Sequence, residues 1–95
     1  MKQKSWRIFQ QRSRMDIIAC ILKHSCPRSR KTRIIYGCNL SFSQFNQYKD
    51  YLIETGFLKV SKLGDGTEIY QITDKGKEFL KDYEKIKNML ESRLV

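Results

Sequence analysis

The stretch KTRIIYGCNLSFSQFNQYKDYLIETG, residues 31–56, decides the fold of this chain. Thr32 can cap a short helix, and Asn39-Leu40-Ser41 ends that helix and caps the next one. The next helix is predicted from about Phe42 to Thr55, with Gly56 as a left-handed C-cap. One of its faces is apolar, because three large side chains recur at helical spacing: Phe45, Tyr48 and Leu52. The stretch therefore predicts two helices joined by a three-residue turn.

Another helix is predicted before this stretch, roughly from Arg14 to His24. Ser13 is a suitable N-cap, and Asp16, three residues later, completes an aspartate version of the capping box. Apolar residues follow at helical spacing: Met15, Ile18, Ile21 and Leu22. The helix should end before Pro27, since the residue that precedes a proline is pushed out of helical geometry. His24 is then most simply an exposed residue of the last turn, where it complements the helix dipole.

After Gly56 the apolar residues alternate, which is typical of strands. Two extended segments are marked by Leu58, Val60, Ile69 and Ile72. Gly64-Asp65-Gly66 between them is a strong hairpin signal. Thr73 can cap a last helix from Asp74 to about Leu94. Its large apolar residues form a heptad-like seam: Phe79, Tyr83, Ile86 and Leu90.

These elements predict a mainly α member of the α+β class. The helix-turn-helix is followed by a two-stranded hairpin, or wing, and by a long C-terminal helix. We expect three parts: a basic arm over residues 1–12, a winged-helix head over 13–73, and a dimerisation helix over 74–95. The last helix should pair with a second copy in an antiparallel, coiled-coil-like contact. Residues 28–31, between the first two helices, form a basic connector or one extended strand.

The net charge of +9 is concentrated in the first part of the chain. Residues 1–38 carry ten Lys or Arg against one acid, whereas residues 39–95 carry nine of each sign. A one-sided block of charge repels itself and is usually tolerated because a polyanion neutralises it. Nucleic acid is the leading partner, ahead of an anionic membrane surface or an acidic protein. No run of about 18 apolar residues and no signal-peptide pattern is present, so we expect a cytoplasmic protein, and binding to nucleic acid would associate it with the nucleoid.

The helix predicted from Phe42 to Thr55 has a polar outward face. Its amides and hydroxyls have the chemistry of base readout, with ordinary surface residues as the alternative: Ser43, Gln44, Asn46 and Gln47. Asp50 and Glu54 would repel phosphates, so only the first half of this helix can approach DNA closely. Basic residues elsewhere are expected to neutralise phosphates: Arg12, Arg14, Arg28, Arg30, Lys31 and Arg33. Of these, Lys31 and Arg33 are the strongest candidates, because the second helix of a helix-turn-helix begins against the DNA backbone.

The sequence resembles the small archaeal winged-helix DNA-binding proteins of about ten kilodaltons, which are chromatin-associated. Four segments between Arg12 and about Leu94 carry the resemblance: RSRMDII, KTRIIYGCNLSFSQF, YLIETGFL and YQITDKGKEFL. The resemblance implies that the third helix faces DNA with Ser41, Ser43, Gln44 and Gln47. It also implies a homodimer seam formed by Phe79, Tyr83, Ile86 and Leu90. Two features depart from the family: Arg93 falls where the next seam residue would lie, and the wing carries Asp65 and Glu68 with only Lys62 nearby.

A catalytic function finds little support. The chain has one histidine, no carboxylate pair at a convincing spacing and no Gly-rich phosphate loop. Four residues could in principle ligate zinc: Cys20, His24, Cys26 and Cys38. No Cys-x-x-Cys knuckle pairs them, so the cysteines are interpreted as small buried apolar side chains, without a metal or another cofactor. The leading hypothesis is a dimeric double-stranded DNA-binding protein that regulates transcription or shapes chromatin. The alternative is a winged-helix module that binds other proteins.

Overall fold

The computed structural model describes the backbone of residues 12–92 and the side chains of residues 12–91. That part of the chain forms four helices and three strands: α1 (Arg14–His24), β1 (Arg28–Arg30), α2 (Lys31–Cys38), α3 (Phe42–Glu54), β2 (Leu58–Lys62), β3 (Glu68–Ile72) and α4 (Asp74–Ser92). The predicted α+β winged-helix fold is confirmed. Of the predicted basic arm, all but Arg12 lies outside the described residues. Across residues 12–92, no helix is long and apolar enough to cross a membrane.

Helices α1 and α3 each begin with a capping box. In α1, the Ser13 hydroxyl accepts a bond from the Asp16 N–H, and the Asp16 carboxylate accepts one from the Ser13 N–H. In α3, the Ser41 hydroxyl and the Gln44 carboxamide oxygen form the same reciprocal pair, both at 3.0 Å. Each box satisfies N–H groups that the helix itself leaves without partners. Local sequence therefore fixes where both helices start.

Helix α2 starts differently from the prediction. It begins at Lys31 with Arg30 as its N-cap, and not after Thr32. The reason is that β1 pairs with β3 as far as Arg30, opposite Ile69, so the chain passes directly from strand into helix. No side chain among the described residues caps the N-terminus of α2. The helix ends at Asn39, whose left-handed conformation (φ 55°, ψ 52°) an asparagine tolerates better than most residues do.

The sheet contains one strand more than the predicted two-stranded wing. Its order is β1-β3-β2, with both neighbouring pairs antiparallel. The basic connector is therefore a strand, as one of the two sequence interpretations had it. The sheet closes over the core with the side of β3 that carries Tyr70 and Ile72, and both residues are buried.

The core lies between α1, α2, α3 and the inner side of the sheet. Its most buried large side chains are Ile21, Leu22, Ile34, Phe45, Leu52, Leu58 and Tyr70. Helix α4 docks onto this core through Gly76, where a Cβ would lie 2.4 Å from the carbonyl oxygen of Phe57. The Thr73 hydroxyl accepts a bond from the Gly76 N–H and donates one to the Gly56 carbonyl. Thr73 thus caps α4 as predicted and ties its start to the end of α3.

His24 is not the exposed helix-end residue that the sequence suggested. Its side chain is half-buried, because its imidazole packs against Gly37 in the last turn of α2. Of the three cysteines, Cys38 has the buried side chain that was predicted, whereas Cys20 is half-buried and Cys26 is exposed.

Candidate nucleic-acid interface

Burial of Phe45 and Leu52 fixes which side of α3 faces solvent. Both side chains are fully buried, so the opposite side points outward. The polar residues predicted for this face are exposed: Ser43, Gln44, Asn46 and Gln47. Ser41 and Gln44 also have a structural role in the capping box, in which the Gln44 carboxamide oxygen accepts the Ser41 N–H. Of these residues, Ser43, Asn46 and Gln47 are therefore the ones whose polar groups the cap does not use.

A shallow groove separates α3 from α1. Its lining comprises Arg14, Ile18, Gln44, Gln47, Tyr48 and Tyr51. Arg14, at the first position of α1, thus lies beside the amides of α3. Tyr51 is 53% exposed and was not among the predicted site residues. Its position just outside the apolar stripe of α3 is the signal that could have identified it.

Three lysines from three different elements surround Glu68 on the other side of α3. They are Lys31 of α2, Lys49 of α3 and Lys62 at the end of β2, and their charges help to lower the pKa of the Glu68 carboxyl. The largest cause of that lowered pKa is a hydrogen bond of 2.6 Å donated by the Tyr70 hydroxyl. Glu68 is therefore an anion held among cations. Glu68 is one of the two wing acids that would repel a phosphate, and lysines of the same chain partly neutralise its charge.

Sequence reasoning missed Lys49, because Asp50 follows it and the region has no net charge. In the structure Lys49 is half-buried, and its ammonium lies 3.3 Å from the Asp50 carboxylate. Tertiary packing, and not the sequence around it, brings Lys49 near Glu68 at the start of β3.

The outer side of the sheet carries a second basic group. In β1, Arg28 and Arg30 are exposed and Ser29 between them is buried, as alternation along a strand requires. Arg28 lies opposite Gln71 of β3, and Lys59 of β2 lies opposite the same residue from the other side. Lys59 was also missed, since only strand pairing brings it near the N-terminal basic block.

The N-terminus of α2 combines features that favour an anion. No side chain among the described residues caps its free N–H groups, and no acid lies in its first turn. Lys31 and Arg33 occupy that turn instead, where the positive end of the helix dipole disfavours cations. Free N–H groups, the dipole and two cationic side chains together form a binding position for an oxyanion such as a phosphate.

Arg12 has a partner within the chain. Its guanidinium donates a hydrogen bond of 2.5 Å to the carbonyl of Cys38. It also lines a groove between α1 and α4, apart from the groove that holds Arg14. The structure therefore does not bring Arg12 together with the other predicted phosphate ligands.

The predicted dimer seam on α4 divides into two halves. Phe79 packs between Phe57 and Tyr83, with ring centroids 5.4 Å and 6.3 Å apart. The Tyr83 hydroxyl donates a hydrogen bond to Asp16, which lowers the pKa of Asp16. Burial, and after it this hydrogen bond, raises the pKa of Tyr83. The inner half of the seam, Phe79 and Tyr83, thus packs against the winged-helix head of the same chain. The outer half stays exposed: Ile86 by 55% and Leu90 by 47%.

Comparisons with known proteins agree with this architecture. The family described as "Winged helix-turn-helix" matches residues 11–91. The uncharacterised protein MJ0287 of Methanocaldococcus jannaschii is 42% identical over 48 residues, which cover 50% of this chain. The match spans only 44% of that protein's length.

Two solved structures also resemble this chain. A mutant of ZitR from Lactococcus lactis has a TM-score of 0.68 at 14% identity, over 88% of this chain and 59% of that one, a likeness of fold alone. The crystal structure of Sso10a-2, a DNA-binding protein from Sulfolobus solfataricus, has a TM-score of 0.73 at 33% identity. That likeness covers 86% of this chain and 88% of that chain. On these findings the chain belongs to the winged helix-turn-helix family, together with archaeal winged-helix proteins such as Sso10a-2.

Proposed function

We propose that this chain binds double-stranded DNA, with the exposed face of α3 in the major groove. The observation that carries the proposal is the position of the cations on both sides of α3. Arg14 lies on the α1 side, and Lys31 and Lys62 lie on the wing side together with Lys49. The face between them is polar but not basic, which suits base contacts more than charge neutralisation. Sso10a-2, to which the chain is similar, is a DNA-binding protein.

The start of α2 is the strongest proposed phosphate contact. A phosphate there would accept bonds from the free N–H groups and from Lys31 and Arg33. Arg28, Arg30 and Lys62 extend the same contact along the backbone. Neutralising phosphates supplies most of the sequence-independent part of DNA affinity.

Base contacts are assigned to Ser43, Asn46 and Gln47. Asn and Gln side chains pair bidentately with adenine in the major groove, and a Ser hydroxyl serves any base. Gln44 is proposed to contribute through its NH₂ group, because the oxygen of its side chain is engaged in the helix cap. Asp50 and Glu54 follow on the same helix, so contact is confined to its first half.

The test of this proposal is the salt dependence of binding to a duplex. Replacing Arg30, Lys31 and Arg33 together by Ala should lower affinity for every duplex alike. It should also reduce the slope of log affinity against log salt by up to about 2.7, which corresponds to about 0.9 for each of three phosphates.

A matched control removes the same charge from another surface. Lys77, Lys81 and Lys85 are exposed on α4, and their replacement by Ala should leave the salt slope nearly unchanged. If both triple variants lose the same duplex affinity and the same salt slope, only net charge matters. That result contradicts a defined phosphate contact at the start of α2. If the wild-type protein has no affinity for duplexes even at low salt, the protein-interaction module becomes the better hypothesis.

We further propose a homodimer joined through α4. Ile86 and Leu90 lie one turn apart in the outer half of the seam, and each is about half exposed. Full burial of such a side chain contributes about 1.5–3 kcal/mol, so covering the exposed half of each against a second copy would contribute roughly half of that. A closed two-fold pair is the commonest soluble assembly. Such a dimer would present two DNA-binding heads, as either a transcription regulator or an architectural protein of the nucleoid.

The two roles differ in genome-wide occupancy. A regulator should give a few sharp peaks, whereas an architectural protein should give broad coverage.

A further inference from the structure

Packing of α1 against α2 brings two cysteines and the histidine of the chain together. Cys20 and His24 lie one turn apart on α1, and Cys38 is the last residue of α2. Each cysteine Sγ lies 3.6 Å from His24 Nδ1, and the ligand atoms of all three residues lie within 4.8 Å of one another. Cys38 is buried and the other two are half-buried. Cys26, the fourth potential ligand in the sequence, is exposed and outside the cluster.

We propose that Cys20, His24 and Cys38 form a zinc-binding site. A tetrahedral zinc ion with Zn–S of about 2.3 Å and Zn–N of about 2.0–2.1 Å places sulfur and nitrogen ligands about 3.6 Å apart. The two Sγ–Nδ1 separations in the structure have this value. Thiolate and imidazole ligands together suit zinc, whereas magnesium and calcium require oxygen.

Three protein ligands leave one tetrahedral position, which we assign to water. Residues 1–11 contain no Cys, His, Asp or Glu that could fill it. Cys20 and His24 also line the groove between α1 and α4, which gives water and metal a path to the cluster. An open fourth position is typical of zinc sites that exchange a ligand.

Because Gly37 has no side chain, it leaves the space that the His24 imidazole occupies. A Cβ at this position would lie 2.4 Å from His24 Cδ2 and 2.6 Å from Nε2, so any other residue would displace the ring. Glycine is less favourable than alanine inside an α-helix, so its presence in α2 has a local energetic cost. In the structure His24 Nδ1 lies 2.9 Å from the Cys20 carbonyl oxygen, to which a protonated Nδ1 can donate. Metal binding requires the other tautomer, with the proton on Nε2.

A metal here would join α1 to the C-terminal end of α2. Cys38 directly precedes the three-residue turn that leads into α3. Arg12 already bonds to the Cys38 carbonyl. Occupancy of the cluster would therefore stabilise the helix-turn-helix, and its effect can be measured without DNA.

The experiment uses the full chain, reduced and metal-free, titrated with Co²⁺ and then with Zn²⁺. The wild type should bind one Co²⁺ per chain, with a thiolate-to-cobalt charge-transfer band and the visible bands of tetrahedral Co²⁺. Zn²⁺ should displace the cobalt and raise the melting temperature. Cys26→Ser, the matched control, should behave like the wild type.

Each ligand variant should lose this binding. Loss of the hydrogen-bond partners around a metal ligand already costs about 10–100-fold in affinity, so loss of a ligand in Cys20→Ser or His24→Ala should cost more. Gly37→Ala should weaken binding as well, because it displaces the ring. Both Cys20 and His24 are half-buried, so these variants keep the test independent of any folding defect in Cys38→Ser.

Three results would overturn the proposal. The first is Co²⁺ binding by Cys20→Ser or His24→Ala that equals that of the wild type, with circular dichroism showing folded protein. The second is loss of binding in Cys26→Ser. The third is a wild-type protein with free thiols whose spectrum and melting temperature do not respond to either ion.

Discussion

Replacing Tyr83 by Phe removes a hydroxyl that forms a hydrogen bond between α4 and α1. That hydroxyl donates to Asp16, and the bond is the largest cause of the lowered pKa of the Asp16 carboxyl. A hydrogen bond to a charged group contributes about 1.5–3 kcal/mol, and partial exposure of this carboxylate to water reduces the value. We expect Tyr83→Phe to lose about 1 kcal/mol of stability, since the ring remains. For a domain of this size, such a loss lowers the melting temperature by roughly 4–8 °C.

The dependence of this loss on pH distinguishes the hydrogen bond from packing. Because the pKa of Asp16 is lowered in the folded state, its ionised form stabilises the fold above the ordinary value of 3.8. That stability is lost as the pH falls through the lowered folded pKa. The difference between wild type and Tyr83→Phe should therefore be full at neutral pH and shrink in acid.

Urea titrations followed by circular dichroism, at neutral pH and in acid, measure both quantities. Tyr36→Phe is the control, because Tyr36 is 77% exposed. The reasoning is refuted if Tyr83→Phe is as stable as Tyr36→Phe, or if its deficit is the same at both pH values.

Three other substitutions test separate parts of the structure. Gly76→Ala should lower stability by about 1–3 kcal/mol, because its Cβ would lie 2.4 Å from a backbone carbonyl oxygen, whereas Gly64→Ala, with no atom within 4 Å, should change the urea midpoint little. Ile86→Asp/Leu90→Asp should give a monomer by light scattering at tens of micromolar, and a monomeric wild type or a dimeric double variant would contradict the proposed seam. Gln47→Ala should change the preference between duplex sequences more than mean affinity in competition binding, and an equal loss on every duplex would assign Gln47 to the backbone.

The elements that the sequence predicted well are those with local signals. Two helix starts are marked by a serine whose hydroxyl bonds to a backbone N–H three residues later. Ser13 does so at the start of α1 and Ser41 at the start of α3. Gly56, with φ of 85°, ends α3 as predicted. Strand β1 was left open because RSR has no period of its own, and its conformation comes from pairing with β3. The wrong start of α2 has the same non-local cause.

The polar face of α3 was predicted from helical spacing, whereas the cations predicted for the candidate interface, Lys62 apart, came from the unbalanced charge of residues 1–38. Arg28, Arg30, Lys31 and Arg33 belong to the basic block and could be selected from sequence. Lys49 and Lys59 could not, because they lie in a neutral region and become neighbours of that block through packing and strand pairing.

For Cys20, His24 and Cys38, the sequence analysis expected no metal site. That expectation rested only on the spacing of these residues along the chain. The spacing of 14 residues between His24 and Cys38 matches no familiar knuckle. The approach of two helices, made possible by Gly37, is what joins them.

At the uncapped start of α2, fold stability and the proposed phosphate binding favour different residues at the N-cap, which is Arg30. Asp or Ser in place of Arg30 would give the helix the cap it lacks, which is worth about 0.5–2 kcal/mol. An aspartate there would also place a negative charge where we propose a phosphate. An aspartate at position 30 should therefore stabilise the free protein and weaken the proposed complex, a trade-off between stability and function at one residue.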